Sequence, residues 1–199
     1  IQSGKDVMEL VMLKDALKRF DDTPIRLFLP KIPYAQQDRV CQKGESFSLK
    51  AFAQIINILN FGKVTVVDPH SDVVGGVFNR LEIISQLDVI GKFDALNKYI
   101  HETHSIFVAP DAGSNKKVSD VAKYYAHSEF IRADKLRDLS NGNIKECIVY
   151  ADDLKRQNVV ILDDICLGGQ TFIGVARALK AKNAGKIAVA GILTCATLY

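Results

Sequence analysis

The chain has no closely spaced cysteine pair, no basic run, no long apolar stretch and no low-complexity linker, and each absence removes a class of function. Its 4 cysteines, Cys41, Cys147, Cys166 and Cys195, stand far apart without a CxxC step. That spacing argues against a zinc site or a disulfide framework and for scattered reduced thiols. No apolar run nears the ~20 residues of a membrane-spanning helix, so no membrane partner is expected. The opening IQSGKDVMEL is not a secretory signal. A formal net charge of +3, nowhere concentrated, gives no reason to expect nucleic acid as a partner. An initiator Met is also missing, and the chain stops straight after the strand-like GILTCATLY, so both ends are expected to be cut from a longer sequence.

What is present is the composition of an ordinary globular protein: 199 residues, 48% hydrophobic and 25% charged, with 13 Gly and 5 Pro, enough for one large or two small domains. Helix-like and strand-like segments alternate throughout. Residues 6–19 carry apolar side chains at Val7, Met8, Val11, Met12 and Leu17, a helical period. Residues 25–30 (IRLFLP) read as a strand, and 49–62 as a helix closed by Gly62 in a left-handed C-terminal position. Strands are expected at 63–70, 105–113, 129–134, from Val159 onward and at 186–194. Helices are expected at 86–100, 118–126 and 171–185. Such alternation implies an α/β protein with parallel sheet covered on both faces. The glycines and Asn of GGVFN (75–79) mark the best domain boundary, dividing the chain into 1–79 and 80–199.

Polar groups gather at the ends of the expected strands: Asp68 and His70, then Asp111, then Asp163 and Asp164. In doubly wound sheets, ligands bind where the carboxyl ends of the strands and their loops converge. Taken singly, DPH reads equally as a structural strand end, and PDAG as a simple turn. Together they point to a site. The most informative unit is VVILDDICLGGQTF (159–172). A helix start with free N–H groups holds phosphate, and glycines let the backbone approach it. Paired carboxylates before such a loop can accept hydrogen bonds from a ribose diol and help hold Mg²⁺.

Six ordered segments carry a resemblance. MELVMLKDALKRF, PYAQQDRV (33–40), VVDPHSDVVGGVF, VAPDAGSNKK (108–117), ADKLRD (133–138) and VVILDDICLGGQT resemble successive motifs of the ribose-phosphate diphosphokinases, also called phosphoribosyl pyrophosphate synthetases. The resemblance implies two doubly wound parallel-sheet domains of the type I phosphoribosyltransferase-like kind, an ATP-binding side in 1–79 and a ribose-phosphate side in 80–199. It implies transfer of the β,γ-diphosphoryl group of ATP to the anomeric hydroxyl of a ribose 5-phosphate, with Mg²⁺ as cofactor. Onto this chain it carries ATP contacts at Gln36, Gln37, Asp38, Arg39 and His70, and metal positions at His70 and Asp111. It carries a ribose-phosphate loop at Asp163, Asp164, Leu167, Gly168, Gly169, Gln170 and Thr171. Lys135 and Arg137 match the catalytic cations, on a polar segment (DKLRDLSNGN) expected to be mobile and to close over substrate. Lys116 and Lys117 could neutralise phosphate or simply face solvent. The resemblance further implies cytoplasmic location and a homo-oligomer built on dimers, with larger rings such as hexamers.

Departures from the family pattern bear on the substrate. Neutral Gln36 stands where an Arg beside the nucleotide phosphates is usual, Pro69 replaces a Leu, and Cys195 stands where a His is common. Leu167 takes the place of a third Asp, Gly168 of a Thr and Gln170 of a Gly. A loop with less grip and more room would suit a phosphate esterified further, as in ADP-ribose, which would place the enzyme in NAD metabolism. The alternatives are a catalytically silent regulatory homologue and, last, a phosphoribosyltransferase, in which the PYAQQD and Lys-x-Arg elements have no natural place.

Overall fold

The computed structural model describes residues 3–20, 22–127, 129–137 and 144–195. The chain divides into two compact units, Ile1–Ser85 and Gln86–Tyr199.

In the first unit, α1 (Gly4–Lys18) starts at a capping box in which Ser3 and Asp6 satisfy each other's backbone N–H groups. Strands β1 (Arg26–Leu29), β2 (Lys63–Val67) and β3 (Leu81–Ile84) form a parallel sheet in the order β1-β2-β3. Helix α2 (Ser48–Ile58) joins β1 to β2, and the single turn α3 (Val74–Val77) joins β2 to β3. Leu49, Phe52, Ala53 and Ile56 of α2 pack with Val64 and Val66 of β2 and with Val7, Leu29, Val74 and Phe78. Burying each such side chain stabilises by roughly 1.5–3 kcal/mol. The 75–79 segment is stitched into this core: Asn57 donates from Nδ2 to the Val77 carbonyl and accepts from the Asn79 N–H, both at 2.8 Å. Lys14 of α1 is also buried, its ammonium 5.3 Å from the centre of the Phe61 ring. Burial, with Lys18 nearby, lowers its pKa.

The second unit holds β4 (Ile106–Ala109), β5 (Ile131–Arg137), β6 (Ile144–Tyr150), β7 (Val159–Leu167) and β8 (Ile187–Cys195), in the order β6-β5-β4-β7-β8. All neighbours are parallel except β6, an antiparallel edge strand on β5. Helices α4 (Gln86–Ile90), α5 (Asp94–Thr103), α6 (Asn115–Tyr124) and α7 (Gln170–Ala181) cover it. Because successive side chains of a strand point to opposite faces, β7 serves two cores. Val159 and Ile161 join Phe172, Val175 and Leu179 of α7, while Val160 and Leu162 join Ile90, Ile100, Val118 and Val121 of α4, α5 and α6. This is the doubly wound arrangement expected from the alternating pattern.

Several elements differ from expectation. The helix expected over 86–100 is two, α4 and α5, broken around Gly91, where an added Cβ would meet the Leu87 carbonyl at 3.2 Å. Gly62 is not the left-handed residue that ends α2. Asn60 is, at φ 52°. Gly62 is required by a close approach, since a Cβ there would lie 2.9 Å from Pro24 Cβ. Strands β3 and β6 were not expected. Among the described residues, no helix is long and apolar enough to cross a membrane.

Candidate functional site

In the second unit, consecutive connections leave the sheet in opposite directions from β4, so the strand order reverses between β4 and β7. Ligands of open α/β sheets bind outside the carboxyl ends of the strands at such a point. Asp111 follows β4 there. Its carboxylate caps the single 3₁₀ turn Ala112–Ser114, with Oδ1 accepting from the Ser114 N–H at 3.2 Å, while the Asp111 N–H donates back to Ser114 Oγ at 3.4 Å. The other oxygen, Oδ2, lies 2.5 Å from Lys135 Nζ. Pairing of β4 with β5 (Val108 opposite Ile131, Ala109 opposite Arg132) sends β5 on past the end of β4 and carries Lys135 alongside Asp111. Burial works to raise the Asp111 pKa. The hydrogen bond and charge of Lys135, with the Ser114 and Gly113 N–H groups, outweigh it and hold the carboxyl below the usual range.

Next to this pair, the second half of β7 carries Asp163 and Asp164. The Asp164 N–H donates to Asp163 Oδ1 at 2.9 Å. Gln86, buried at the start of α4, donates from Nε2 to the Asp163 carbonyl at 3.0 Å and so pins the strand end. Asp164 is buried, with Lys117 Nζ 3.7 Å from its Oδ2. Burial pushes the Asp163 carboxyl up to about 7, assisted by the hydrogen bond and charge of Asp164 and by the charge of Asp111. Asp163 is therefore protonated about half of the time near neutrality, and when protonated it can donate as well as accept, while Asp164 lies beside a cation.

Strand β7 continues to Leu167, whose backbone is in register with Cys195 of β8. Gly168 and Gly169 then take left-handed conformations at φ 63° and 70°. Only glycine adopts two such residues in succession without strain. No atom lies within 4 Å of the position a Cβ would take at either glycine. Helix α7 starts at Gln170 with no side chain capping its first turn. Its leading N–H groups, with the half-buried Thr171, form an open positive pole suited to an anion.

In the first unit, the residues after β1 form a turn through Tyr34, which is left-handed at φ 62°. The Gln37 N–H closes it on the Tyr34 carbonyl at 2.9 Å. Gln36, Gln37 and Arg39 are exposed there, and Asp38 is buried, accepting from Arg39 Nε at 3.2 Å. At the end of β2, buried Asp68 is held at φ 38° with its N–H on the Ile84 carbonyl at 2.8 Å. A non-glycine residue in that region costs about 1 kcal/mol or more and is held by its surroundings. Exposed His70 lies two residues on.

The fold thus brings Asp111 to Lys135 and Asp164 to Lys117, and lays Asp163, Asp164 and the glycine turn on one strand-loop-helix unit. The segment expected to be a mobile catalytic loop differs. Lys135 and Arg137 belong to strand β5, paired with β6 through a register shift between Leu136 and Arg137, because the alternation of Ile131 and Ala133, buried on one face, suits a sheet. Residues 138–143 of that expected loop lie outside the described residues. Of the two lysines left open, Lys116 is exposed, and Lys117 Nζ lies beside Asp164 of the carboxylate pair. Gln86 and Ser114 were missed, since a lone Gln and a turn Ser carry no signal until the strand ends they hold are known. Among the described residues, no three His, Cys, Asp or Glu side chains form a metal-binding group. Mg²⁺ needs only one or two carboxylates when phosphates and water complete its shell. Asp111, whose Oδ2 already meets a cation, fits that demand, and an exposed imidazole such as His70 suits it less well.

No protein-family profile matches the chain. Curated proteins do. It is 28% identical to a ribose-phosphate pyrophosphokinase of Marinomonas sp. over 186 residues, 93% of this chain and 58% of that protein. It is 29% identical to the one from Campylobacter jejuni over 188 residues, again 93% and 58%. It is 27% identical to ribose-phosphate pyrophosphokinase 2 of Archaeoglobus fulgidus over 190 residues, 96% and 65%. The chain spans somewhat under two thirds of the length of these relatives. The crystal structure of phosphoribosylpyrophosphate synthetase from Mycobacterium smegmatis superposes with a TM-score of 0.79 at 23% identity, covering 94% of this chain and 60% of that one, and shows the same fold. Over the part of their length that it spans, the chain is similar to ribose-phosphate pyrophosphokinases at 27–29% identity.

Proposed function

We propose that the protein is an ATP-dependent diphosphokinase that transfers the β,γ-diphosphoryl group of ATP to the anomeric hydroxyl of a ribose 5-phosphate moiety, releasing AMP. The observation that carries this reading is the juxtaposition, at the reversal point of the second sheet, of the Asp111–Lys135 pair with an Asp163–Asp164 pair that runs into the open Gly168–Gly169 turn.

In this reading the first-turn N–H groups of α7 and Thr171 hold the 5-phosphate, with Gln170, Gly168 and Gly169 letting it approach the backbone. Asp163 and Asp164 take the ribose hydroxyls, one as donor and acceptor, the other as acceptor. Gln36, Gln37, Asp38, Arg39 and His70 serve the nucleotide. Lys135 and Arg137 offset charge on the transferred group and on the departing AMP, the dominant demand of phosphoryl transfer. Asp111 would hold Mg²⁺, which would supply positive charge against the phosphates, while His70 belongs to the nucleotide side in the first unit. A cytoplasmic, dimer-based homo-oligomer belongs to the same reading; a single-chain mass by light scattering would remove the oligomer.

The test is AMP release from ATP with ribose 5-phosphate. It should require the acceptor and fall at least a hundredfold in Lys135→Ala. Absence of AMP with any acceptor would sink the enzyme reading. The open space beside Gly168 and Gly169 favours a second acceptor, ADP-ribose, whose phosphate continues into a further nucleoside. Comparing kcat/KM on the two acceptors separates them.

A further inference from the structure

Resting on that functional reading, the Asp111–Lys135 contact has a further role. Both carboxylate oxygens of Asp111 are engaged. Oδ1 takes the Ser114 N–H, inside a reciprocal cap whose Ser114 is itself buried, and Oδ2 takes the Lys135 ammonium at 2.5 Å. An incoming cation that approaches Oδ2 meets the Lys135 ammonium there, and the like charges favour its departure. Oδ1 is held by two groups of one buried residue, the Ser114 N–H at 3.2 Å and Oγ at 3.4 Å, in the cap that precedes α6. The ammonium sits on a flexible four-carbon stem, only 15% exposed while docked.

We propose that Lys135 is a built-in counter-ion: it occupies the cation position of Asp111 until a divalent cation takes its place, and this exchange frees the ammonium for phosphate. Lys135 would then be withheld from a substrate that arrives without its metal. Among the described residues, Asp163 also interacts with Asp111 and Cys147 with Lys135, while Lys117 sits on Asp164. Lys117 therefore provides a control for simple charge removal, since it lies in the same cluster but on a different carboxylate.

The experiment uses Mn²⁺ alone, a hard cation that accepts carboxylate ligands, with the free ion followed by electron paramagnetic resonance. Lys135→Met should bind Mn²⁺ roughly five- to tenfold more tightly than the parent protein, the scale of one partly buried ion pair. Lys117→Met should gain less than half of that factor. Acylation followed by mass spectrometry supplies a second readout. Lys135 should be protected without metal, become reactive at saturating Mn²⁺, and be reactive at all times in Asp111→Asn, where Asn still caps the turn. Equal gains in the two lysine variants, Lys135 reactivity indifferent to Mn²⁺, or no Mn²⁺ binding at millimolar concentration would each overturn the exchange. None of these readouts involves AMP formation, so a failed exchange and a failed enzyme reading are separately visible.

Discussion

Asp163 and Asp164 are consecutive, yet they stand in opposite electrostatic situations. The Asp164 N–H donates to Asp163 Oδ1 at 2.9 Å, while Lys117 Nζ sits 3.7 Å from Asp164 Oδ2. Burial and the neighbouring carboxylates raise Asp163 to about 7, so it is protonated about half of the time near neutrality. A ribose diol meeting such a pair finds a donor as well as acceptors.

The raised Asp163 pKa sets a pH dependence of stability. In the unfolded chain the group titrates near ~3.9, and in the fold near about 7. Its protonated form is favoured by folding, so its contribution is fully present below the unfolded value and is lost as pH rises through about 7. Asp163→Asn keeps the neutral form at every pH. The variant's melting temperature should match the parent's near pH 4 and exceed it increasingly up to pH 8, by a free energy on the order of 1–3 kcal/mol. A gap that does not change with pH would contradict this.

Gly168→Ala and Gly169→Ala test the turn. Both positions are left-handed, and an added methyl meets no atom within 4 Å, so backbone strain is the main cost, about 1 kcal/mol each. Denaturant unfolding should register that loss. A neutral result at both positions would mean the turn is not held as described.

Gly174 of α7 faces β6, where a Cβ would lie 2.6 Å from Cys147 Sγ. Ala is favoured over Gly inside a helix by about 1 kcal/mol, but Gly174→Ala alone should realise only part of that, because the Cys147 thiol must turn aside. In a Cys147→Ala background the same change should stabilise by the full amount. The double-mutant cycle measures the coupling, and simple additivity would refute the contact.

Gln36→Arg supplies the charged fork that a neutral amide cannot offer to nucleotide phosphates. On the proposed activity it should lower KM for ATP several-fold with little change in kcat. An unchanged KM would place residue 36 away from the phosphates.

Leu167→Asp adds a carboxylate at the end of β7, where a hydrogen bond to a sugar hydroxyl contributes roughly 1–3 kcal/mol when its loss leaves the partner unpaired. Relative kcat/KM should move toward ribose 5-phosphate and away from ADP-ribose. Equal effects on both acceptors would remove Leu167 from acceptor choice.

Much of this molecule was legible before any coordinates. The strand-to-helix course of residues 159–181 follows from an apolar run, two acids, two glycines and a helical period, each of which constrains the backbone locally. Strand β6 was missed: IKECIVY alternates only weakly, and an edge strand needs just one apolar face. Strand β3 was missed because LEII is too short to stand out from the glycine-rich segment before it. Lys135 was picked out by resemblance but misassigned to a loop, since the polar residues around it resemble loop composition and its ladder partner lies in a strand that had not been recognised.

By itself the sequence determined the α/β class, the positions of most elements and the identity of the polar residues at the strand ends, because these depend on side-chain period and local backbone preference. Only the tertiary structure decided which of those residues meet. The contact between Asp111 and Lys135 exists because β4 and β5 pair in one parallel register. The choice of Lys117 over Lys116 depends on which side of α6 faces β7, and the raised Asp163 pKa on how deeply the strand end is buried. Register, helix orientation and burial are set by packing between segments distant in sequence, and no local window of residues contains them.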